Sequence, residues 1–291
     1  MIELNEPLHF NEVGKKDNQE DVLYPSTKMG QRVFVLCDGM GGHERGELAA
    51  TSVAYAIGNY IDGFLANSQK SIDTDVFYHA LETAYDTLDA VFATYETTGK
   101  RPGTTLACIV VNDDSVLVAH IGDSRILHIR PGVDNKILYE STDHSLVNDL
   151  ILSGEITREE ALNYGKKNII TRAMQPGGKR FKADVYELDD IKQGDYFFLC
   201  SDGVLEHVQS SDLCNILTKD ISNQQKLEEI LNICRGKTFD NHSCWLIPVK
   251  KAKIKNKNKK HIIKAETVKK QKCPITRLLS KPVSYTHLTL P

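Results

Sequence analysis

The chain has 291 residues, 41% hydrophobic and 26% charged, enough to bury a large core as one big domain or two small ones. No apolar run approaches the roughly 18 residues that span a bilayer, and Met1–Phe10 lacks a basic segment leading into an apolar one, so neither a membrane helix nor a signal peptide is expected. The net charge of −3 divides sharply: residues 250–281 carry 13 Lys and Arg against the single acid Glu266, or +12, which leaves −15 on the rest of the chain.

Seven cysteines, an odd number without a CxxC pair, argue against a disulfide framework and for a reducing cytoplasm. Strand-length apolar runs recur at Arg32–Cys37, Thr104–Val111, Ser115–Ile121, Arg125–Ile129, Tyr196–Cys200 and Ser243–Val249. Two long 3.6-residue patterns, Glu47–Leu65 and Asp75–Tyr95, follow the first run and predict a helical pair packed on a sheet. The turn residues Asn112-Asp113-Asp114 predict a hairpin between the second and third runs. Later helices are expected at Ser145–Ser153, Thr157–Tyr164, Ser211–Thr218 and Asn223–Cys234. This order predicts an α+β fold with mainly antiparallel sheets, contained in residues 1–249. Residues 250–282 read as a basic, solvated tail, with contact to an anionic membrane face as an alternative. The last nine residues, Val283–Pro291, resemble the in-frame translation of a transposase-type library adapter and are set apart from fold reasoning.

Three apolar runs end at an aspartate beside a glycine: Asp38-Gly39, Gly122-Asp123 and Asp202-Gly203. Asp240-Asn241 precedes the last run, and Glu20-Asp21 follows the polar stretch Lys15–Gln19. One such ending is an ordinary turn. Several at one sheet margin would gather carboxylates that repel by several kcal/mol unless cations neutralise them. Oxygen-only ligands select Mg²⁺ or Mn²⁺ over zinc. Two such ions roughly 3.5–4 Å apart activate a bridging water for phosphate-ester hydrolysis. A lysine four positions before Glu20 could hold the phosphate by charge. No Cys-x₅-Arg loop, P-loop, GxSxG elbow or HExxH helix is present.

The blocks Asp38-Gly-Met-Gly-Gly-His43, Gly103-Thr-Thr105, Ile121-Gly-Asp-Ser-Arg125, Asp143-His-Ser145, Ser201-Asp-Gly203 and Asp240-Asn241 occur in the order seen in bacterial metal-dependent protein phosphatases of the type 2C class. The resemblance spans about Val13 to Val249. It implies a four-layer α/β/β/α sandwich, two antiparallel sheets flanked by helix pairs, with a flap over about 142–175. It implies a binuclear Mn²⁺/Mg²⁺ centre in which Asp38 bridges the ions, the Gly39 carbonyl binds one, and Asp202 and Asp240 complete the other. Glu20 and Asp21 act directly or through water, and Asp123 with Asp202 forms the third-metal site that some members use. Lys16 stands where the family usually has arginine, supplying charge without a bidentate fork.

His43 is open between a proton donor and a helix-start residue. His144 is read as ordering the flap turn, and His79, His120, His128, His207 and His242 as structural or surface. The expected substrates are phosphorylated proteins, targets of a Ser/Thr kinase, met by a monomer; no nucleic-acid partner is expected. The competing readings are a non-catalytic scaffold of the same fold and a hydrolase of small phosphorylated metabolites.

Overall fold

The computed structural model describes residues 1–24, 30–41, 45–68, 70–95, 101–132, 136–161, 164 and 169–252. His43, Asn168 and the chain from 253 onward, with the tail and the adapter-like end, lie outside the described residues.

The strands are β1 (Glu3–Leu4), β2 (Leu8–Glu12), β3 (Asp21–Leu23), β4 (Val33–Met40), β5 (Gly103–Thr104), β6 (Leu106–Val111), β7 (Val116–Ile121), β8 (Arg125–Arg130), β9 (Lys136–Glu140), β10 (Asp184–Leu188), β11 (Tyr196–Cys200) and β12 (His242–Lys251). They form two antiparallel sheets. One runs β1-β12-β11-β8-β9 with β2 also on β12; the other runs β10-β7-β6-β4-β3 with β5 also on β4.

Each central strand is a continuous apolar run because both of its faces are buried. In β4, Val33, Val35 and Cys37 face the long helices α1 (Arg45–Asn67) and α2 (Thr74–Phe92), whereas Phe34 and Leu36 face the opposite sheet. In β11, Phe197 and Leu199 join Phe34 and Leu36 between the sheets. Tyr196, Phe198 and Cys200 turn outward. The outward set meets α6 (Ser210–Leu217) and α7 (Asn223–Cys234). Two helix–sheet cores and one sheet–sheet core therefore make four layers. The expected sandwich is present.

Helix ends follow local chemistry. Asp73 caps α2 by accepting from the Val76 N–H, and Ser222 with Gln225 forms a reciprocal capping box on α7. Gly58 of α1 leaves room for the Tyr24 ring, 2.4 Å from where a Cβ would stand. The flap region holds α3 (Leu146–Ser153) and α4 (Arg158–Ala161), and its margins bridge Ser145 to Ile170 and Thr104 to Met174. The six described cysteines are free and buried. No described helix is long and apolar enough to cross a membrane.

Candidate metal centre

Antiparallel pairing brings the relevant chain ends to one rim. The C-terminal ends of β4, β7 and β11 meet the N-terminal ends of β3 and β12 there. Asp38 does not stop its strand, as the Asp-Gly ending suggested. β4 continues to Met40 because Gly39 and Met40 pair with Thr104 and Gly103. Asp21 sits directly across from Asp38, a like-charge cross-strand pair that is unfavourable by itself. Asp202 opens the one-turn helix α5 (Asp202–Leu205), and Asp123 follows the Gly122 turn.

The backbone around Asp38 is pinned from the neighbouring strand. Its N–H donates to Thr105 Oγ1 at 2.9 Å, and its carbonyl accepts from Thr105 N–H at 2.9 Å and Thr104 Oγ1 at 3.0 Å. Gly39 donates to the Glu20 carbonyl at 3.1 Å. A Cβ on Gly39 would lie 2.3 Å from the Gly46 carbonyl oxygen, so only glycine permits this approach of β4 to α1. Asp21 Oδ2 accepts from Ser201 Oγ at 2.7 Å, and that hydroxyl accepts from Ser243 N–H at 3.0 Å. Glu206 holds the other edge: its two carboxylate oxygens accept from Phe239 N–H (2.9 Å) and Asp240 N–H (3.1 Å).

Electrostatically the acids are crowded. Burial, then the charges of Asp21, Asp202, Asp123 and Asp240, holds the Asp38 carboxyl well above the usual carboxylate range. Burial pushes Asp21 up to about 7, opposed by hydrogen bonds from Ser201 and Ser243 and assisted by Asp202 and Asp240. Burial and then Asp202 push Asp123 up to about 7, while burial and Asp240 push Asp202 up to about 6. Glu20 is raised by burial, partly offset by Lys16. The Lys16 ammonium, although burial opposes its charge, is held above its usual value by Asp240, Glu20 and Asp38; its Nζ lies 2.9 Å from Asp240 Oδ1.

Four carboxylate oxygens here, Glu20 Oε1, Asp21 Oδ1, Asp123 Oδ1 and Asp202 Oδ1, are buried without a hydrogen-bond partner among the described residues. A buried carboxylate oxygen without a donor is costly, and raised carboxyl pKa values record that cost. Divalent cations would satisfy both, so the residues present fit a hard-cation centre. The adjoining cleft, about 430 Å³, is lined by Lys16, Glu20, Asp38, Gly39, Ile170, Asp202 and Asp240 among others. It suits a phosphorylated side chain.

A second group, His120, His144 and Asp184, brings one ligand atom from each residue within 4.8 Å of the others. The two imidazoles lie face to face, 4.7 Å apart and 11° from parallel, so their in-plane lone pairs run side by side and do not converge. His144 Nδ1 already accepts from Gly122 N–H at 3.1 Å, and the Arg172 guanidinium lies 3.2 Å from its Nε2. This cluster is a latch, not a cation site. The backbone N–H of His144 also donates to the Gly122 carbonyl at 2.9 Å, and Arg125 binds Asp143 through Nε at 3.2 Å and Nη2 at 2.5 Å. The flap root is thus fastened beside Asp123, with His144 at the turn. Thr105 and Ser201 lie in the matched blocks Gly103-Thr-Thr105 and Ser201-Asp-Gly203 but carried no assigned role, and Ser243 and Glu206, a few residues from the Asp240-Asn241 and Asp202-Gly203 blocks, escaped the sequence reading.

The family model described as Protein phosphatase 2C matches residues 12–246. Protein phosphatase PhpP of Streptococcus pneumoniae is 33% identical over 234 residues, covering 78% of this chain and 90% of that protein. The serine/threonine phosphatase stp of Listeria monocytogenes is 29% identical over 203 residues, covering 65% of this chain and 73% of its own length. Among solved structures, the Streptococcus agalactiae serine/threonine phosphatase superposes with a TM-score of 0.72 at 26% identity, covering 84% of this chain and 99% of that one. The catalytic domain of the serine threonine protein phosphatase PstP, solved with two manganese ions, gives 0.70 at 25% identity, covering 85% and 99%.

Proposed function

This chain belongs to the protein phosphatase 2C family, and we infer that it hydrolyses phosphoserine and phosphothreonine esters on proteins at a binuclear Mn²⁺ or Mg²⁺ centre. This reading rests on the convergence of strand-end acids at one rim, four of whose carboxylate oxygens are buried without partners among the described residues. Every acid that the family resemblance requires is present, which leaves the scaffold reading without support.

Asp38, Asp21, Glu20, the Gly39 carbonyl, Asp202 and Asp240 would hold the two ions, and Asp123 with Asp202 a third. Bound there, the ions supply water activation and neutralisation of phosphoryl charge. The chain's own part is positioning. Thr104 and Thr105 fix the Asp38 backbone, Ser201 orients the Asp21 carboxylate, and Glu206 sets the start of the Asp240 segment. Lys16, at the mouth of the cleft, attracts the phosphate dianion as a point charge. His43 is proposed as the general acid that protonates the departing serine or threonine oxygen, releasing it as the hydroxyl.

The substrate class implies a Ser/Thr kinase as the source of the phosphate. The +12 charge of residues 250–281 supports contact with an anionic surface. Phosphate release by the full chain in Mn²⁺ from phosphothreonine, phosphotyrosine and small-metabolite substrates tests the assignment. Preference for the phosphothreonine peptide is expected, and preference for a metabolite would replace the protein-substrate reading.

A further inference from the structure

Asn241, 3% exposed at the foot of β12, spends its whole amide on one distant segment. Its Oδ1 accepts from Glu20 N–H at 2.8 Å, and its Nδ2 donates to the carbonyls of Val13 at 2.8 Å and Asn18 at 2.9 Å. The bonds to Val13 and Asn18 close the loop 13–18 on a single side chain, with Lys16 inside it. The bond to Glu20 fixes the next residue that faces the cleft.

The rest of the loop lies flat on the same support. Gly14 has φ +68°, and a Cβ there would stand 2.1 Å from the Asp240 carbonyl oxygen. Lys15 N–H donates to the Phe239 carbonyl at 3.0 Å. Glu20 in turn accepts from Gly39 N–H, so Asn241 joins β12 of one sheet, through Glu20, to β4 of the other. No other side chain supplies a carboxamide's one acceptor and two donors in that space. Aspartate keeps the acceptor but sets a carboxylate against two carbonyls, and alanine removes all three bonds.

We propose that Asn241 is a positioning residue that sets the phosphate-binding Lys16 loop and the Glu20 carboxylate together, tying substrate affinity to cation affinity. It rests on the phosphatase reading for its kinetic consequence but not for its structural one.

The test uses the full chain and the variants Asn241→Ala, Asn241→Asp, Lys16→Ala and the Asn241→Ala/Lys16→Ala pair. With a phosphothreonine peptide, Asn241→Ala should raise KM and the half-saturating Mn²⁺ concentration by about tenfold, with a smaller fall in kcat. In the Lys16→Ala background its effect on KM should shrink to less than about twofold, because the two residues act as one unit. Asn241→Asp, which keeps the Glu20 bond, should raise KM but shift the Mn²⁺ midpoint less, and it carries the test if the alanine variant does not fold. Amide hydrogen exchange of residues 14–20 without metal gives a readout independent of turnover, and exchange should accelerate there in Asn241→Ala while β6 and β7 stay protected. Lower kcat at unchanged KM and Mn²⁺ midpoint, fully multiplicative effects in the double variant, or unchanged exchange over 14–20 would each overturn the proposal. An inactive wild type whose loop still loosens in the variant removes the phosphatase reading and leaves the positioning role standing.

Discussion

Replacing Asp21 by asparagine should stabilise the metal-free protein at neutral pH while weakening its hold on the cations. Asp21 is 2% exposed, faces Asp38 across the β3–β4 ladder, and has its pKa raised from 3.8 to about 7. A folded-state pKa above the unfolded one means that the native state binds the proton more tightly. Stability is then full below about pH 4 and falls as pH rises toward 7. Roughly three pH units correspond to a ceiling of about 4 kcal/mol at 1.36 kcal/mol per unit. Rearrangement of the neighbouring acids takes part of this, so about 2 kcal/mol of relief is expected, or about 4–8 °C in Tm for a domain of this size. Asparagine still accepts from Ser201 Oγ, so the hydrogen bond at that oxygen survives. Thermal melts in EDTA at pH 5 and 7.5 measure this. The variant should melt higher than wild type at pH 7.5, by about 2–3 times its margin at pH 5, and saturating Mn²⁺ should reverse the order at pH 7.5. A variant destabilised equally at both pH values would refute charge crowding as the character of the site.

Two further substitutions probe separate parts of the cleft. Lys16→Ala should leave Tm within about 1 °C, since its ion pair with Asp240 is over a third exposed on each side. It should lower kcat/KM by about 10–100-fold, the worth of a charge-assisted hydrogen bond to phosphate, and Lys16→Arg should match or lower the wild-type KM in peptide kinetics. Gly39→Ala places a Cβ 2.3 Å from the Gly46 carbonyl oxygen, so it should cost about 1–3 kcal/mol in denaturant unfolding and abolish turnover by displacing Asp38.

Much of this fold is legible in the sequence because both its long helices and its central strands are strongly patterned. Residues 223–234 form α7 over the expected span, and Asn112–Asp114 makes the expected β6–β7 hairpin. The strands that escape notice are the short or mixed, partly exposed ones: Glu3–Leu4 and Asp21–Leu23 are only two and three residues long, and Leu8–Glu12, Lys136–Glu140 and Asp184–Leu188 carry polar side chains and no long apolar run. Their place is set by partners far along the chain, as when β2 pairs with β12. The same holds in the site. The acids announce themselves through Asp-Gly and Asp-Asn blocks, but the Ser201–Asp21 bond joins residues 180 positions apart, and Asn241 reaches Val13 across 228. No local pattern encodes such pairs. The continuous apolar runs also hide which face of each strand meets helices and which meets the other sheet, because burial on both sides erases the alternation that would tell them apart.

Asp38 and its neighbours are proposed to form a cation-dependent phosphatase centre. The most direct test of this proposal is phosphate release from a phosphothreonine peptide by the full chain and by Asp38→Asn, with and without Mn²⁺, alongside calorimetric titration of both with Mn²⁺. The expected result is Mn²⁺-dependent turnover by wild type that falls by at least about 10²-fold in the variant, together with weakened Mn²⁺ binding. Turnover unaffected by EDTA, or by loss of the Asp38 carboxylate, would contradict it.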